Sequence, residues 1–323
     1  MNRLTTSVLV LLMGTAAPAL AAVEGGFERT LTVTGAVTLS ATSGSGGIDV
    51  ATGPDGSVHV KGVIRANSWG ASSDEIARAV KALEANPPIV QQGNTVRIGE
   101  IEDERIARLV SISYTITVPR QTAVTSKTGS GSQSIASLAG PVSASSGSGG
   151  LTVAAIDGAV DMRTGSGSIR VERAGGGLSA SSGSGSISVD AAAGDMRVRT
   201  GSGSIEVRQA ASNAAEISSG SGHIRVSDLK GGIKATTASA GIEITGTPTA
   251  DWRTSTSSGS IRLEIPADAS FRLDAHTSSG SIRTDHTLNV MTTGRRELTG
   301  TVGEGGVLVE ARSSSGSITV GRR

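Results

Sequence analysis

A stretch of eight residues, Thr164-Gly165-Ser166-Gly167-Ser168-Ile169-Arg170-Val171, recurs in near-copy along most of the chain. That recurrence narrows the folds open to the chain more than any other feature. With the isoleucine as anchor, copies fall at Ile48, Ile135, Leu151, Ile169, Ile187, Ile205, Ile224, Ile242, Ile261, Ile282 and Ile318. From Leu151 to Ile261 the anchors step by 18 or 19 residues, then by 21 to Ile282, and then by 36, twice 18, to Ile318. A fixed period of this size marks stacked repeats, in which each unit is buried by its neighbours.

Residues 158–176 show what one unit predicts. Val160, Met162 and Thr164 share one parity, Gly165-Ser166-Gly167-Ser168 turns the chain, Ile169 and Val171 share the next parity, and Ala174-Gly175-Gly176 turns it again. Alternation of period two is the strand signal, so two short strands and two tight turns make one coil. Stacked coils give an all-β, right-handed parallel β-solenoid with two sheets face to face over a narrow core. With strands about 4.8 Å apart, about ten coils make a rod on the order of 50 Å long. Glycine at the corners is expected to supply positive φ. The serine three residues before each anchor, Ser166 and its equivalents such as Ser45, Ser132 and Ser184, is expected to bond backbone groups in the turn or the serine of the next coil. A catalytic role for it is disfavoured, because an enzyme needs one nucleophile and not a column of them.

Outward positions support the same stacking. One residue after the anchor the column runs Glu206, Arg225, Glu243, Arg262, alternating in sign. Eight residues before it, Arg197, Glu216 and Lys234 alternate too, and Arg253 is followed by Asp274. Opposite charges side by side across strands contribute roughly 0.2–1 kcal/mol each, so these columns read as solvated ladders. The core must be aliphatic, since the only aromatic residues are Phe27, Trp69, Tyr114, Trp252 and Phe271.

The first part of the chain follows other rules. Arg3, the apolar run Val8 to Met13 and Ala19-Leu20-Ala21 read as a signal peptide over residues 1–21, with export to the periplasm or medium as the expectation. No later segment approaches spanning length, so no membrane span is expected after cleavage. Residues 22–120 read as the N-terminal part of the solenoid, with a helical cap inserted. Ser72 and Glu75 form a capping-box pattern, Ile76, Val80 and Leu83 share one helical face, and Asn86-Pro87-Pro88 stops the helix. This is the one clear helix, and it is expected to cover an end or edge of the solenoid. A hairpin follows, Ile89-Val90 against Val96 to Ile98, then a charged stretch Glu100 to Arg108, then a clean strand from Ser111 to Val118. Residues 121–323 carry the regular repeats, broken by an excursion at 284–300 that holds His286, Met291, Arg295 and Arg296. Long loops on rigid scaffolds often carry binding, so that excursion is the first candidate surface.

Chemistry is sparse. Removing residues 1–21 takes Arg3 from 29 basic residues and leaves 28 against 28 acidic ones, a balance that gives no electrostatic case for nucleic acid. There is no cysteine. His59, His223, His276 and His286 lie far apart with no carboxylate at metal-ligand spacing and read as surface histidines. The Gly-Ser-Gly turns lack the following helix and lysine of a phosphate loop, and carry serine where a calcium-binding roll needs aspartate. A left-handed hexapeptide helix has anchors every six residues, whereas Ile169, Leu178 and Ile187 recur every nine. No catalytic, cofactor-binding or metal-ligating residue is therefore assigned, and no cofactor.

The opening Phe27-Glu28-Arg29-Thr30-Leu31-Thr32-Val33, the helix-containing insertion, the strand Ser111 to Val118 before Pro119, and the serial Ser-Gly-Ser-Ile turns together resemble the bacterial "putative adhesin" β-strand-repeat family, DUF4097. The resemblance spans nearly the whole chain after residue 21. It implies an exported β-solenoid and supplies no catalytic residues. The resulting expectation is a non-enzymatic, adhesin-like interaction or scaffold module of the cell envelope, binding an envelope or extracellular protein or polysaccharide, with end-to-end self-association as a further expectation. The rival is a carbohydrate-active β-helix enzyme, which requires converging acids in a cleft.

Overall fold

The computed structural model describes residues 24–67 and 72–323; the signal peptide expected over residues 1–21 lies outside the described residues. The N-terminal part runs β1 (Glu24–Thr32), β2 (Val37–Ser43), β3 (Ile48–Thr52), β4 (Ser57–Ala66), α1 (Ser73–Ala85), the hairpin β5 (Ile89–Gln92) and β6 (Thr95–Ile98), α2 (Glu104–Leu109) and β7 (Val110–Val118). The regular array follows as β8 (Thr122–Thr128), β9 (Gln133–Ala136), β10 (Val142–Ser146), β11 (Leu151–Ala154), β12 (Val160–Thr164), β13 (Ile169–Ala174), β14 (Leu178–Ser182), β15 (Ile187–Ala193), β16 (Met196–Thr200), β17 (Ile205–Ser219), β18 (Ile224–Thr237), β19 (Ile242–Thr256) and β20 (Ile261–Ile265). The last part is β21 (Phe271–Thr277), β22 (Ile282–Thr284), β23 (Leu288–Thr293), β24 (Glu297–Val302), β25 (Val307–Ser313) and β26 (Ile318–Arg322). The charged stretch after Glu100 therefore holds a second short helix, α2, started by Asp103, whose carboxylate accepts from the N–H groups of Arg105 and Ile106.

Each regular coil gives one strand to each of two faces. Face A takes the strands before the Gly-Ser-Gly corner, and face B those after it. Neighbours are parallel and in register: Val142, Val160, Leu178 and Met196 lie side by side on face A, and Leu151, Ile169, Ile187 and Ile205 on face B. Val160, Met162, Thr164, Ile169 and Val171 are buried, while Arg163 and Arg170 are exposed. Short aliphatic side chains from both faces thus meet in one continuous core, each wedged between copies from the coils on either side. In β17, β18 and β19 the second corner is a continuous bent strand and not the tight turn expected from the sequence, so the sheet wraps around that side. Register shifts between Ser212 and Ala215 and between Gly231 and Ile233 absorb length differences there.

The Gly-Ser-Gly corner works differently from the expectation. Its glycines are absent from the positive-φ set, which includes Gly194, Gly231 and Gly246 at the second corner. What requires glycine is crowding: a Cβ on Gly167 would overlap the carbonyl oxygen of Gly149, and one on Gly185 that of Gly167. The hydroxyl that ties the corners together belongs to the buried residue two positions before the expected serine. Thr164 Oγ1 donates to Gly149 O at 3.0 Å and accepts from Gly167 N at 3.1 Å. Ser182 repeats this with Gly167 and Gly185, and Thr200 with Gly185 and Gly203. Ser166 itself is exposed. One anchor also moves. Gln133, not Ile135, occupies the isoleucine column, between Ile48 and Leu151, which makes Ser130 and not Ser132 the corner serine of that coil. The buried Gln133 amide is satisfied by Ser126 Oγ and by donation to Ser145 O at 2.6 Å.

At both ends the stacking order departs from the sequence order. The first coil, β2 and β3, is held between β6 and β7 outside and β8 and β9 inside. The coil of β25 and β26 lies between the β19–β20 coil and the β21–β22 coil: Ile318 sits beside both Ile261 and Ile282, and Val309 beside both Trp252 and Leu273. The 36-residue step from Ile282 to Ile318 is thus a return into the array, not two further coils. It also corrects one charge ladder, because Glu310 and not Asp274 follows Arg253. The excursion at 284–300 is the antiparallel hairpin β23–β24, laid on β21.

Antiparallel strands and α1 close the N-terminal end. β4 pairs antiparallel with β7, and β1 with β4. The capping box is formed, with Ser72 Oγ accepting from Glu75 N at 3.3 Å and Glu75 Oε2 accepting from Ser72 N at 3.1 Å. The helix buries Ile76, Ala79, Val80 and Leu83. Its Glu84 carboxylate accepts from the Gly26 N–H of β1 at 3.0 Å, covering that edge as expected.

Candidate functional site: a trough along face A

The main candidate concavity is not at the excursion. It is a trough of about 1190 Å³ that crosses the outer surface of face A along the solenoid axis, from Thr38 in the first coil to Arg253 in β19. Its shape follows from the residue before each inward anchor of face A. That column holds Ala123, Pro141, Ala159, Gly177, Asp195, Ala214 and Gly232, mostly too small to fill the surface beside the corner. The next outward column forms the rim: Thr125, Ser143, Asp161, Ser179, Arg197, Glu216, Lys234 and Arg253.

Short neutral side chains line most of the half toward β8, and long charged ones the half toward β19. Arg197 Nε lies 2.9 Å and Arg199 Nη2 2.7 Å from the two oxygens of Glu216. Those two guanidinium groups, Arg197 first, hold the Glu216 carboxyl below the usual carboxylate range. It stays ionised near neutral pH and is no proton donor. Arg163 pairs with Asp161 at 2.9 Å, and Arg253 with Asp251 at 2.8 Å. Lys234 lies between Glu216 and Arg253 in register and forms no ion pair within 4 Å among the described residues.

The histidines stay apart. His59 lies on β4, 2.8 Å from Glu28 and 3.1 Å from Thr30. His223 is 4.0 Å from Glu243. His286 departs from the surface reading: it is 5% exposed, packs edge-on against Phe271 at 5.3 Å, and shares a hydrogen bond of 3.1 Å between Nε2 and Gly321 O. Among the described residues no group of three or more His, Cys, Asp or Glu is placed to hold a metal ion, and no helix is long and apolar enough to cross a membrane.

The trough escaped the sequence reading because its signal is a lack of side chain. The rim charges were visible as a ladder, but only the fold shows that a column of small residues runs beside them. The family model Toastrack DUF4097 matches residues 71–321. Among solved structures, the chain is similar to a "putative lipid binding protein" from Parabacteroides distasonis, at 14% identity over 92% of this chain and 96% of that one, with a TM-score of 0.42. It is also similar to a "putative adhesin" from the same organism, at 12% identity over 92% and 97%, with a TM-score of 0.42. A "putative adhesin" from Bacteroides fragilis matches at 15% identity over 92% and 97%, with a TM-score of 0.35. No curated protein matches the chain.

Proposed function

The chain belongs to the Toastrack DUF4097 family, and from that premise we propose that it is an exported, non-enzymatic interaction scaffold of the cell envelope that binds an extended polypeptide along the face-A trough. The observation that carries this reading is the trough itself, continuous over successive coils and built on a rigid, in-register sheet. A small-residue floor lets a main chain lie close to the sheet, and a rim of both signs suits a peptide with both signs of side chain. Among the residues lining the trough there is no aromatic ring, which disfavours sugar stacking.

The test is to fill the trough without touching the core. Gly177 is exposed, and a Cβ there meets only Asp195 O, at 3.6 Å, so Gly177→Phe together with Ala159→Trp is compatible with the fold. Capture from an envelope extract is compared for the unaltered protein, this filled variant, and a control carrying Thr152→Trp on face B. The same polypeptide bound by the unaltered protein and the control, but lost from the filled variant, supports the trough. Equal capture by all three overturns it, and turnover of an envelope polysaccharide by the purified protein overturns the non-enzymatic reading.

A further inference from the structure

Among the described residues, the large hydrophobic side chains that stand exposed are Val90 at 44%, Val290 at 51% and Met291 at 83%. All three lie on two strands, β5 and β23, and these are the outermost strands of face A at opposite ends of the solenoid. Neither strand carries a charge or a proline: β5 reads Ile-Val-Gln-Gln and β23 reads Leu-Asn-Val-Met-Thr-Thr. Two usual guards of a free edge, charge and proline, are therefore missing from both strands. The β1 edge on face B, by contrast, is covered by α1 and the Glu84 carboxylate. A bulge between Val290 and Thr292 guards nothing here, since it presents Met291 to solvent.

Strand direction and charge make these two edges complementary. β24 runs antiparallel to β21, and β23 antiparallel to β24, so β23 runs with the parallel strands of face A. β5 is antiparallel to β6 and runs against them. When two copies follow one another along the axis, β23 of the first meets β5 of the second as an antiparallel pair. The tight turn of the β23–β24 hairpin holds Arg295 and Arg296, exposed and with no ion pair within 4 Å among the described residues. Their carbonyls accept from Ile282 N and Thr277 N, which places the turn at the Gly-Ser-Gly corner. At the other end the same corner carries the exposed acidic run Glu102-Asp103-Glu104, just after Gly99, whose N–H is bonded to Pro88 O beside β5. Within that run Asp103 caps α2, Glu104 pairs with Arg108 at 3.0 Å, and Glu102 has no ion pair within 4 Å among the described residues.

We propose that the protein associates head to tail with further copies of itself, β23 of one copy pairing antiparallel with β5 of the next. Met291 and Val290 meet the Val90 edge, and Arg295 and Arg296 face the acidic run. Such a contact is heterologous and leaves one free edge at each end of every oligomer, so growth is open-ended.

Edge-blocked variants test this, because each removes one half of the contact at exposed positions. Sedimentation velocity of the full chain over a concentration series is expected to show a mean mass that climbs past that of a dimer. Val90→Lys alone, and Val290→Lys with Met291→Lys alone, stay monomeric while keeping the far-UV spectrum and melting curve of the unaltered protein. An equimolar mixture of the two variants forms a dimer and stops there, since one supplies a sound β23 and the other a sound β5. A protein that stays monomeric at every concentration overturns the proposal. So does a Val90→Lys variant that dimerises alone, which points to β23 pairing with its own copy.

Discussion

Between β10 and β20 every coil rests on the coil that precedes it in the chain, and residues paired across coils are 17 to 19 positions apart. At the two ends the order is interleaved: β2 and β3 lie beneath strands made later, and β25 and β26 lie beneath strands made earlier. The middle gains its stability by nearest-neighbour addition, as stacked repeats do. The ends cannot be added one coil at a time. Interleaving, antiparallel strands and aromatic packing, Phe27 with Tyr114 at one end and Phe271 with His286 at the other, go together. They close a core that the repeat alone would leave open.

The largest test of that contrast removes the interleaved coil. Truncation before Val307 should abolish hydrogen-exchange protection of β21 to β24, whereas β10 to β15 keep theirs; protected β21 to β24 would mean that the end is stacked and not interlocked. Next in size, Ile205→Ala in the middle should cost about 2–5 kcal/mol in urea unfolding. The half-buried end anchor Ile282 should cost less when replaced in the same way, and equal costs would erase the distinction between a shared and an outer rung. Thr164→Val leaves Gly149 O and Gly167 N without their partner inside the corner and should cost about 1–3 kcal/mol. Ser166→Ala at the exposed tip should stay within about 0.5 kcal/mol, and the reverse ranking would return the corner bond to the outer serine.

A smaller effect belongs to the C-terminal end and to pH. Burial lowers the pKa of His286 below its ordinary value of 6.5; the unfolded chain therefore takes up the proton first. The charged groups that act on the ring are Arg322, which lowers the pKa, and Asp285, which raises it. Stability is fully present above pH 6.5 and falls as the pH drops toward the folded-state value. The melting temperature should follow that course, and His286→Phe should flatten it. Smallest of all, Arg225→Ala removes an exposed pair with Glu243 at 3.0 Å and should cost under about 1 kcal/mol.

The same contrast explains what could be foreseen. Parity, period and glycine spacing specify the middle because each of those signals is local and repeated, so Ile169, Val171 and Thr164 are assigned inward correctly. The interleaving at Ile318 is not local: twice 18 residues from Ile282 is equally compatible with two further coils, and only the pairing of Ile318 with both Ile261 and Ile282 separates the two. Gln133 was displaced for a similar reason, since a polar residue in an isoleucine column makes sense only with Ser126 and Ser145 in place to satisfy it. α1 announced itself through Ser72 and Glu75, whereas α2, a single turn and a half held by Asp103, buries no residue fully and leaves no apolar stripe to read.

The two corners of a coil have unequal freedom to change over evolutionary time. At the Gly-Ser-Gly corner each carbonyl fills the place a neighbouring Cβ would need, from Gly131 through Gly149, Gly167 and Gly185, so an altered residue or length in one coil conflicts with the next. The opposite corner already tolerates an extra residue between Ile205 and Ile224, and shifts of register around Gly231. That tolerant corner borders the trough. Descendants of this chain are therefore free to reshape the trough while the other side of every coil holds the register.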